Sequence, residues 1–322
     1  MNTKQKLWGD KPYVSLDYTL KQQFGKKVYR IALDGGMTCP NRDGSLDSRG
    51  CIFCSAGGSG DFAGNRKDSI TLQIENGIRQ IQEKRPCQDF IAYFQAFTNT
   101  YAPVEYLKEI YMEALSHPQV RALSIGTRPD CLSEEILNLL EECNKIKPVW
   151  IELGLQTIHE STAKYIRRGY NLSCFERALT NLRSRNIDVI VHVILGLPEE
   201  SKSEMLETVS YLSHKDIQGI KLQLLHILEG TDLATDYAKH PFWLFSQDEY
   251  CDFICDCIAI LPPSISIHRL TGDGPKKDLI APLWSSNKRT ILNQIHRRLK
   301  QRNIWQGKSY QDIINDERRH HE

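Results

Sequence analysis

The sequence predicts an α/β fold: a partial (β/α)6 barrel of the TIM type with a small C-terminal α/β extension. Two observations carry that expectation. Short apolar runs rich in β-branched residues start at Phe90, Val120, Val149, Ile187 and Gly219, at intervals of 30, 29, 38 and 32 residues. Amphipathic stretches separate them, the rhythm of parallel strands joined by helical crossovers. The interval before them is longer, 62 residues from Val28 to Phe90, and it contains a glycine-rich loop with three cysteines. In a barrel that loop follows the first strand and sits at the C-terminal mouth, where barrel enzymes keep their chemistry. A doubly wound open sheet is the alternative that the same alternation permits.

Taken in order, residues 1–26 form an N-terminal segment and 27–235 the barrel. Its strands are "KVYRIAL", "FIAYF", "VRALSI", "VWIELGL", "IDVIVHVIL" and "GIKLQLL", each short and apolar with turn or polar residues at its ends. "SEEILNLLEECNKI" starts as a helix should, with Ser133 and two acids, and "SCFERALTNLRSR" follows Asn171. Ser201 and Glu204 have the spacing of a capping box. Residues 236–322 form the extension: a helix near 246–261 stopped by Pro262-Pro263, a short strand "SISIHRL", and a basic helix over about 287–301.

A chain of 322 residues with 40% hydrophobic and 25% charged residues is of ordinary globular type. The N-terminus has no apolar h-region and no eighteen apolar residues run together, so a cytoplasmic protein without membrane spans is expected. Its ten cysteines are then reduced thiols, and a spaced cluster of them points to metal or redox chemistry. Charge is uneven. Between Lys276 and Lys308 nine Lys/Arg face one acid, Asp278, a local +8 that leaves −7 for the rest of a chain totalling +1. That pattern suits an enzyme body with an electrostatic handle.

Cys39, Cys51 and Cys54 follow C-x11-C-x2-C. Three thiolates can hold three irons of a [4Fe–4S] cube and leave the fourth open to an external ligand. A zinc knuckle with a distant fourth ligand, or three incidental thiols, is the competing explanation. Phe53, directly before the last cysteine, can shield a cluster and pack an adenine ring. Glu152 and Gln156 are polar in a strand otherwise fit for burial, and a buried acid without partners is costly, so they mark a polar site. By contrast, "CDFICDC" at 251–257 reads as helix packing, and "TGDGPKKD" lacks the strand-and-helix context of a phosphate loop.

"RIALDGGMTCPNRDG", "GCIFCSAGGSGDFAG", "GTRPDCL", "ELGLQT", "HVILGLPEE" and "HILEGTDLA" together resemble the radical S-adenosylmethionine (SAM) enzymes. The likeness is to the Elongator-subunit-3-like group and, within it, to a compact bacterial subfamily, over residues 8 to 310. The long first cysteine interval, in place of the usual C-x3-C-x2-C, is a trait of that group. The resemblance implies a [4Fe–4S] cluster on the three cysteines, chelation of SAM by the open iron, and a 5′-deoxyadenosyl radical that abstracts hydrogen from a substrate. It places SAM contacts at Phe53, Gln95, Arg128, Glu152, Gln156, His192, Gly196 and Leu228, with His192 standing where the motif has a glycine.

The resemblance also implies tRNA as partner, with aminomethyl-type modification of a wobble uridine, and a reductant such as flavodoxin or ferredoxin. The Elongator subunit's acetyltransferase domain is absent from this sequence. The terminal segment mixes Trp284 and Trp305 with basic residues, and Lys288, Arg289, Arg297, Arg298 and Arg302 are the candidates for gripping RNA phosphates. A radical enzyme acting on a small metabolite, or an iron–sulfur sensor that binds nucleic acid, are the other functions the residues allow.

Overall fold

The computed structural model describes residues 4–310 apart from positions 59, 61 and 273. The elements run α1 (Leu16–Phe24), β1 (Tyr29–Leu33), α2 (Ile70–Gln82), β2 (Phe90–Phe94), α3 (Val104–Ser116), β3 (Val120–Thr127) and α4 (Glu134–Ile146). They continue with β4 (Val149–Gln156), α5 (Glu160–Tyr165), α6 (Leu172–Arg183), β5 (Asp188–Leu195), α7 (Lys202–Ser213) and β6 (Gly219–Leu224). Last come β7 (Ile227–Leu228), α8 (Asp232–Lys239), α9 (Gln247–Ile260), β8 (Ser266–Arg269), β9 (Leu279–Ala281) and α10 (Lys288–Gln301).

The strands form one curled parallel sheet, a half-barrel in the order β1-β2-β3-β4-β5-β6-β8, beside a two-stranded sheet of β7 and β9. The expected partial barrel is present with one strand more than six. The extra strand is β8, read in the sequence as part of the C-terminal extension. It pairs with β6, and its Ile267 amide also donates to the Val14 carbonyl. Only four residues long and preceded by Pro262-Pro263, it breaks the thirty-residue rhythm that marked the others.

Helix starts follow their caps. Ser133, Asn171 and Ser201 accept from backbone amides at the heads of α4, α6 and α7, and Ser201 with Glu204 closes the full capping box. A second box, Ser246 with Glu249, opens α9.

Alternation along the strands divides the core. Ile151, Leu153, Val189, Val191, Val193, Ile220 and Leu222 face the helices in the main core. The other faces of the strands line the barrel interior. Its floor is apolar, built from Ile91, Ala122, Trp150 and Ile190 and closed by Leu20 of α1. Above that floor the interior turns polar.

Candidate functional site

The loop after β1 carries the three cysteines, and backbone turns shape it. The Cys39 carbonyl accepts from the amides of Arg42 and Asp43, and the Cys54 amide donates to the Cys51 carbonyl at 3.0 Å. The Arg42 guanidinium ties the halves together through the carbonyls of Cys54 (2.9 Å) and Ser55 (2.6 Å). Gly50 has φ +80 and lies against Arg42, so a Cβ there would meet the guanidinium at 3.0 Å. Asn41, 2% exposed, joins this loop to the turn after α5. Its amide donates to the Arg167 carbonyl at 2.7 Å and approaches the Cys51 sulfur at 3.5 Å. Ile52 is buried with Ile166, Leu197, Leu225 and Leu233, anchoring the cysteine pair, while Phe53 packs on the edge of that cluster.

Cys39, Cys51 and Cys54 line one wall of a cavity of about 160 Å³ in the barrel mouth. All three are free thiols of intermediate exposure. Burial first, then the neighbouring Cys54, pushes the Cys51 thiol up to about 12, so ionised sulfur at that position needs a metal. Among the described residues no three His, Cys, Asp or Glu side chains close around a single metal ion. The three thiols open onto one cavity, and a cube takes one thiolate on each of three separate irons. An all-thiol donor set opening onto a cavity fits an iron–sulfur cube with one iron left open.

The same cavity gathers Phe53, Gln95, Arg128, Glu152, Gln156 and His192. Arg128 directly follows β3, bonds Asp130 in a two-pronged pair (2.9 and 2.6 Å) and stacks over the Tyr170 ring at 5.0 Å. It leads the turn at Pro129–Cys131 and lines the cavity as well. Arg168, 2% exposed, also packs on the Tyr170 ring, at 4.9 Å, and bonds the carbonyls of Leu155 and Thr157. Gln156 has φ +65, a strained conformation for a non-glycine residue, and its side chain meets the Tyr170 hydroxyl at 3.3 Å.

A second cavity, about 190 Å³, shares Phe53, Gln95, Gln156 and His192 with the first and adds Lys221, Gln223, His226, Leu228 and Arg269. Gly196 lies apart from both cavity walls, at φ +90 against Phe245.

Behind the cavities lies a buried ionic network that the sequence disclosed only at Glu152 and His192. Glu152, 1% exposed, accepts from the Tyr93 hydroxyl (2.6 Å), His192 Nε2 (2.8 Å), Ser124 (3.1 Å), Arg30 (3.5 Å) and Lys221. These partners come from β1, β2, β3, β5 and β6, with Tyr93 opposite Ser124 and His192 opposite Lys221 in register. Burial alone would raise the Glu152 carboxyl, but Lys221, His192 and Arg30 hold it well below its usual range. Lys221, also 1% exposed, is lowered by burial to about 7 against the pull of Glu152. Burial and then Lys221 lower His192 to about 4, so the imidazole is neutral. Its Nε2–H serves Glu152, and Nδ1 accepts from Gln223 at 3.4 Å.

Lys221 was legible by the reasoning that found Glu152: a charge inside "GIKLQLL" on the same face as Gln223. Cys251, Cys255 and Cys257 are fully buried on α9, as packing requires. Along α10, Arg298 pairs with Asp248 (2.7 Å) and Arg302 with Asp256 (2.5 Å), while Lys288 and Arg289 line a third cavity beside the mouth. Arg297 is exposed on the same helix.

Among the described residues no helix is long and apolar enough to cross a membrane. A family model described as the Radical SAM superfamily matches residues 48–212, and one described as the Radical_SAM C-terminal domain matches 217–301. The chain is 46% identical to the protein YtqA of Bacillus subtilis over 304 residues, 94% of each chain. It is 25% identical over 171 residues to a tRNA uridine(34) acetyltransferase of Methanocaldococcus infernus, covering 52% of this chain and 31% of that protein. The solved Elp3 of Methanocaldococcus infernus, lacking its N-terminus, superposes with a TM-score of 0.66 at 18% identity. That match covers 87% of this chain and spans 64% of the other, less than two thirds of its length.

Proposed function

The chain belongs to the radical SAM superfamily and is a radical SAM enzyme, and from that premise we propose that its substrate is a tRNA, modified on a wobble uridine side chain in an aminomethyl-type reaction. The cofactors are a [4Fe–4S] cluster and SAM. When bound they supply reductive cleavage of the sulfonium and a 5′-deoxyadenosyl radical, with the electron drawn from a donor of the flavodoxin or ferredoxin type.

The chain's own residues bind and orient. Cys39, Cys51 and Cys54 hold the cluster. Arg128, braced by Asp130 and Tyr170, offers a guanidinium to the SAM carboxylate. Phe53 and Leu228 provide apolar flanks for the adenine, and Gln95 and Gln156 offer amides that both donate and accept. Gly196 turns the chain at the end of β5. Glu152 acts through His192, fixing its tautomer so that Nδ1 remains an acceptor beside Gln223. The apolar cluster around Ile52 helps to exclude water beside the cysteines.

One observation supports the reading most: the three cysteines and the polar residues of four strand ends line the same cavity. The RNA half is supported by likeness to a tRNA uridine(34) acetyltransferase and by the basic wall beside the mouth. Mass spectrometry of tRNA nucleosides from cells with and without the protein tests it. A wobble uridine derivative should vanish and its precursor accumulate; identical profiles would refute the tRNA substrate.

A further inference from the structure

The polypeptide turn before β9 and the first turn of α10 enclose a groove of about 690 Å³, walled by Lys276, Lys277, Lys288 and Arg289. Phe62, His226 and Gly274 line both this groove and the second mouth cavity, so the two spaces adjoin. We propose that this groove is the track for the phosphodiester backbone of single-stranded RNA whose target base enters the mouth. The proposal rests on the tRNA reading above and adds where the strand lies.

Charge selects the groove over the rest of the basic helix. Arg298 and Arg302 are bonded to Asp248 and Asp256 of α9, and Asp252 stands 3.7 and 3.6 Å from them, so acids already oppose their charge. Among the described residues Lys276, Lys277 and Arg289 make no side-chain hydrogen bond or ion pair, and all three are exposed. Burial, then Arg269, lowers Lys288 to about 8, so an anion in the groove would ease its charging. Among the described lining residues Asp278 is the one acid, beside the exposed bases Lys276, Lys277 and Arg289. The first turn of α10 contains no acid, and its helix dipole adds to the positive field.

The groove's connection with the mouth selects the ligand. A small metabolite would be contained by the mouth cavity and would leave Lys276, Lys277 and Arg289 outside it unused. A nucleic acid must pass its backbone along the rim while one base goes in. Phe62, 62% exposed where groove meets mouth, offers a face for a neighbouring base. Single-stranded RNA uses both features, a line of cations and an aromatic platform.

The test compares two full-length variants reconstituted with iron: Lys276→Gln/Lys277→Gln/Lys288→Gln/Arg289→Gln in the groove, and Arg298→Gln/Arg302→Gln outside it. Iron content and thermal midpoint report whether each has folded. Binding of unfractionated tRNA is followed by fluorescence anisotropy across a salt series. At about 0.7 counterions per single-strand contact, the groove variant should lower the slope of log K against log salt by about three units, and the outer variant by less than one. Phe62→Ala should weaken binding without changing the slope. A groove variant with the wild-type slope, or a larger loss in the outer variant, would overturn the track and leave the tRNA substrate standing. A wild-type protein without tRNA affinity would overturn both. Equal competition by poly-L-glutamate of matched charge would assign the groove to acidic protein instead.

Discussion

The cysteine loop and the strand network behind it are built on opposite terms. In the loop, three thiols of intermediate exposure hang from turns closed by Arg42, Asn41 and a left-handed glycine. In the barrel, Glu152 and Lys221 are each 1% exposed and held by neighbouring strands. A loop that receives metal after synthesis must stay open, and the metal's binding energy then completes its folding. A buried carboxylate receives no outside ion. It needs its own cations at fixed positions, or desolvation would cost several kcal/mol.

The largest effect should separate the two regions outright. Cys39→Ala, Cys51→Ala or Cys54→Ala should each lose most of the bound iron and all 5′-deoxyadenosine production, because two thiolates cannot hold the cube. Without metal, Cys39→Ala and Cys54→Ala should change the folding free energy little, since both residues are of intermediate exposure, while Cys51→Ala also loses packing around a desolvated sulfur. The Cys251→Ala/Cys255→Ala pair should behave in reverse, losing stability by packing while retaining iron. Iron assay and chromatography of the SAM products measure both. Normal iron in Cys51→Ala would end the cluster assignment.

The same contrast explains what could be read from the sequence. Loop chemistry lies within sixteen consecutive positions, Cys39 to Cys54, so spacing alone discloses it. The network draws Arg30, Tyr93, Ser124, Glu152, His192 and Lys221 from six strands. Each is an isolated polar residue in an apolar run, and only the register brings them together. Strand rhythm foretold six strands of the sheet; "SISIHRL" reads as a strand of the extension, and its place as the seventh depends on pairing with β6 and on the Val14 carbonyl. The charge count located a basic end. It did not show that α9 neutralises Arg298 and Arg302 while Lys276, Lys277 and Arg289 lie exposed along the groove.

The network should respond more to charge than to shape. Glu152→Gln keeps the side chain's outline but leaves Lys221 and Arg30 uncompensated, and should cost about 3–5 kcal/mol in urea unfolding. Glu152→Gln/Lys221→Met should recover at least half of that loss. The pH dependence has two limbs. The stability from Glu152 is fully present above its unfolded value near 4.3 and is lost as pH falls through its lower folded value. Lys221 is also depressed, so the unfolded chain binds more protons between about 7 and its unfolded value near 10.4. Its contribution to stability is therefore full above that upper value and is lost as pH falls through about 7. Lys221→Met should flatten that alkaline rise. Equal slopes for wild type and Lys221→Met between pH 7 and 10 would mean that the ammonium is not desolvated.

The smallest effect makes the sharpest comparison, because it removes hydrogen bonding from each region and reads two quantities. Tyr93→Phe keeps the ring under Arg30 and Lys221, at 5.5 and 4.8 Å, and deletes only the hydroxyl, which donates to Glu152 and accepts from Lys221 Nζ at 3.2 Å. Four other donors still serve the carboxylate, so the cost belongs at the low end for a bond to a charged group, about 1.5 kcal/mol. Asn41→Ala deletes the bond to the Arg167 carbonyl and the approach to the Cys51 sulfur, at a similar cost of about 1–2 kcal/mol. The two variants should therefore unfold at similar urea concentrations. They should differ in iron. Tyr93→Phe should retain the wild-type content, because strands hold the network whether or not metal is bound. Asn41→Ala should release iron faster to a chelator, because this side chain braces the loop that presents Cys51. Equal chelation rates in both variants would show that the loop is as rigid as the strands, and the contrast between a metal-completed region and a self-contained one would fail.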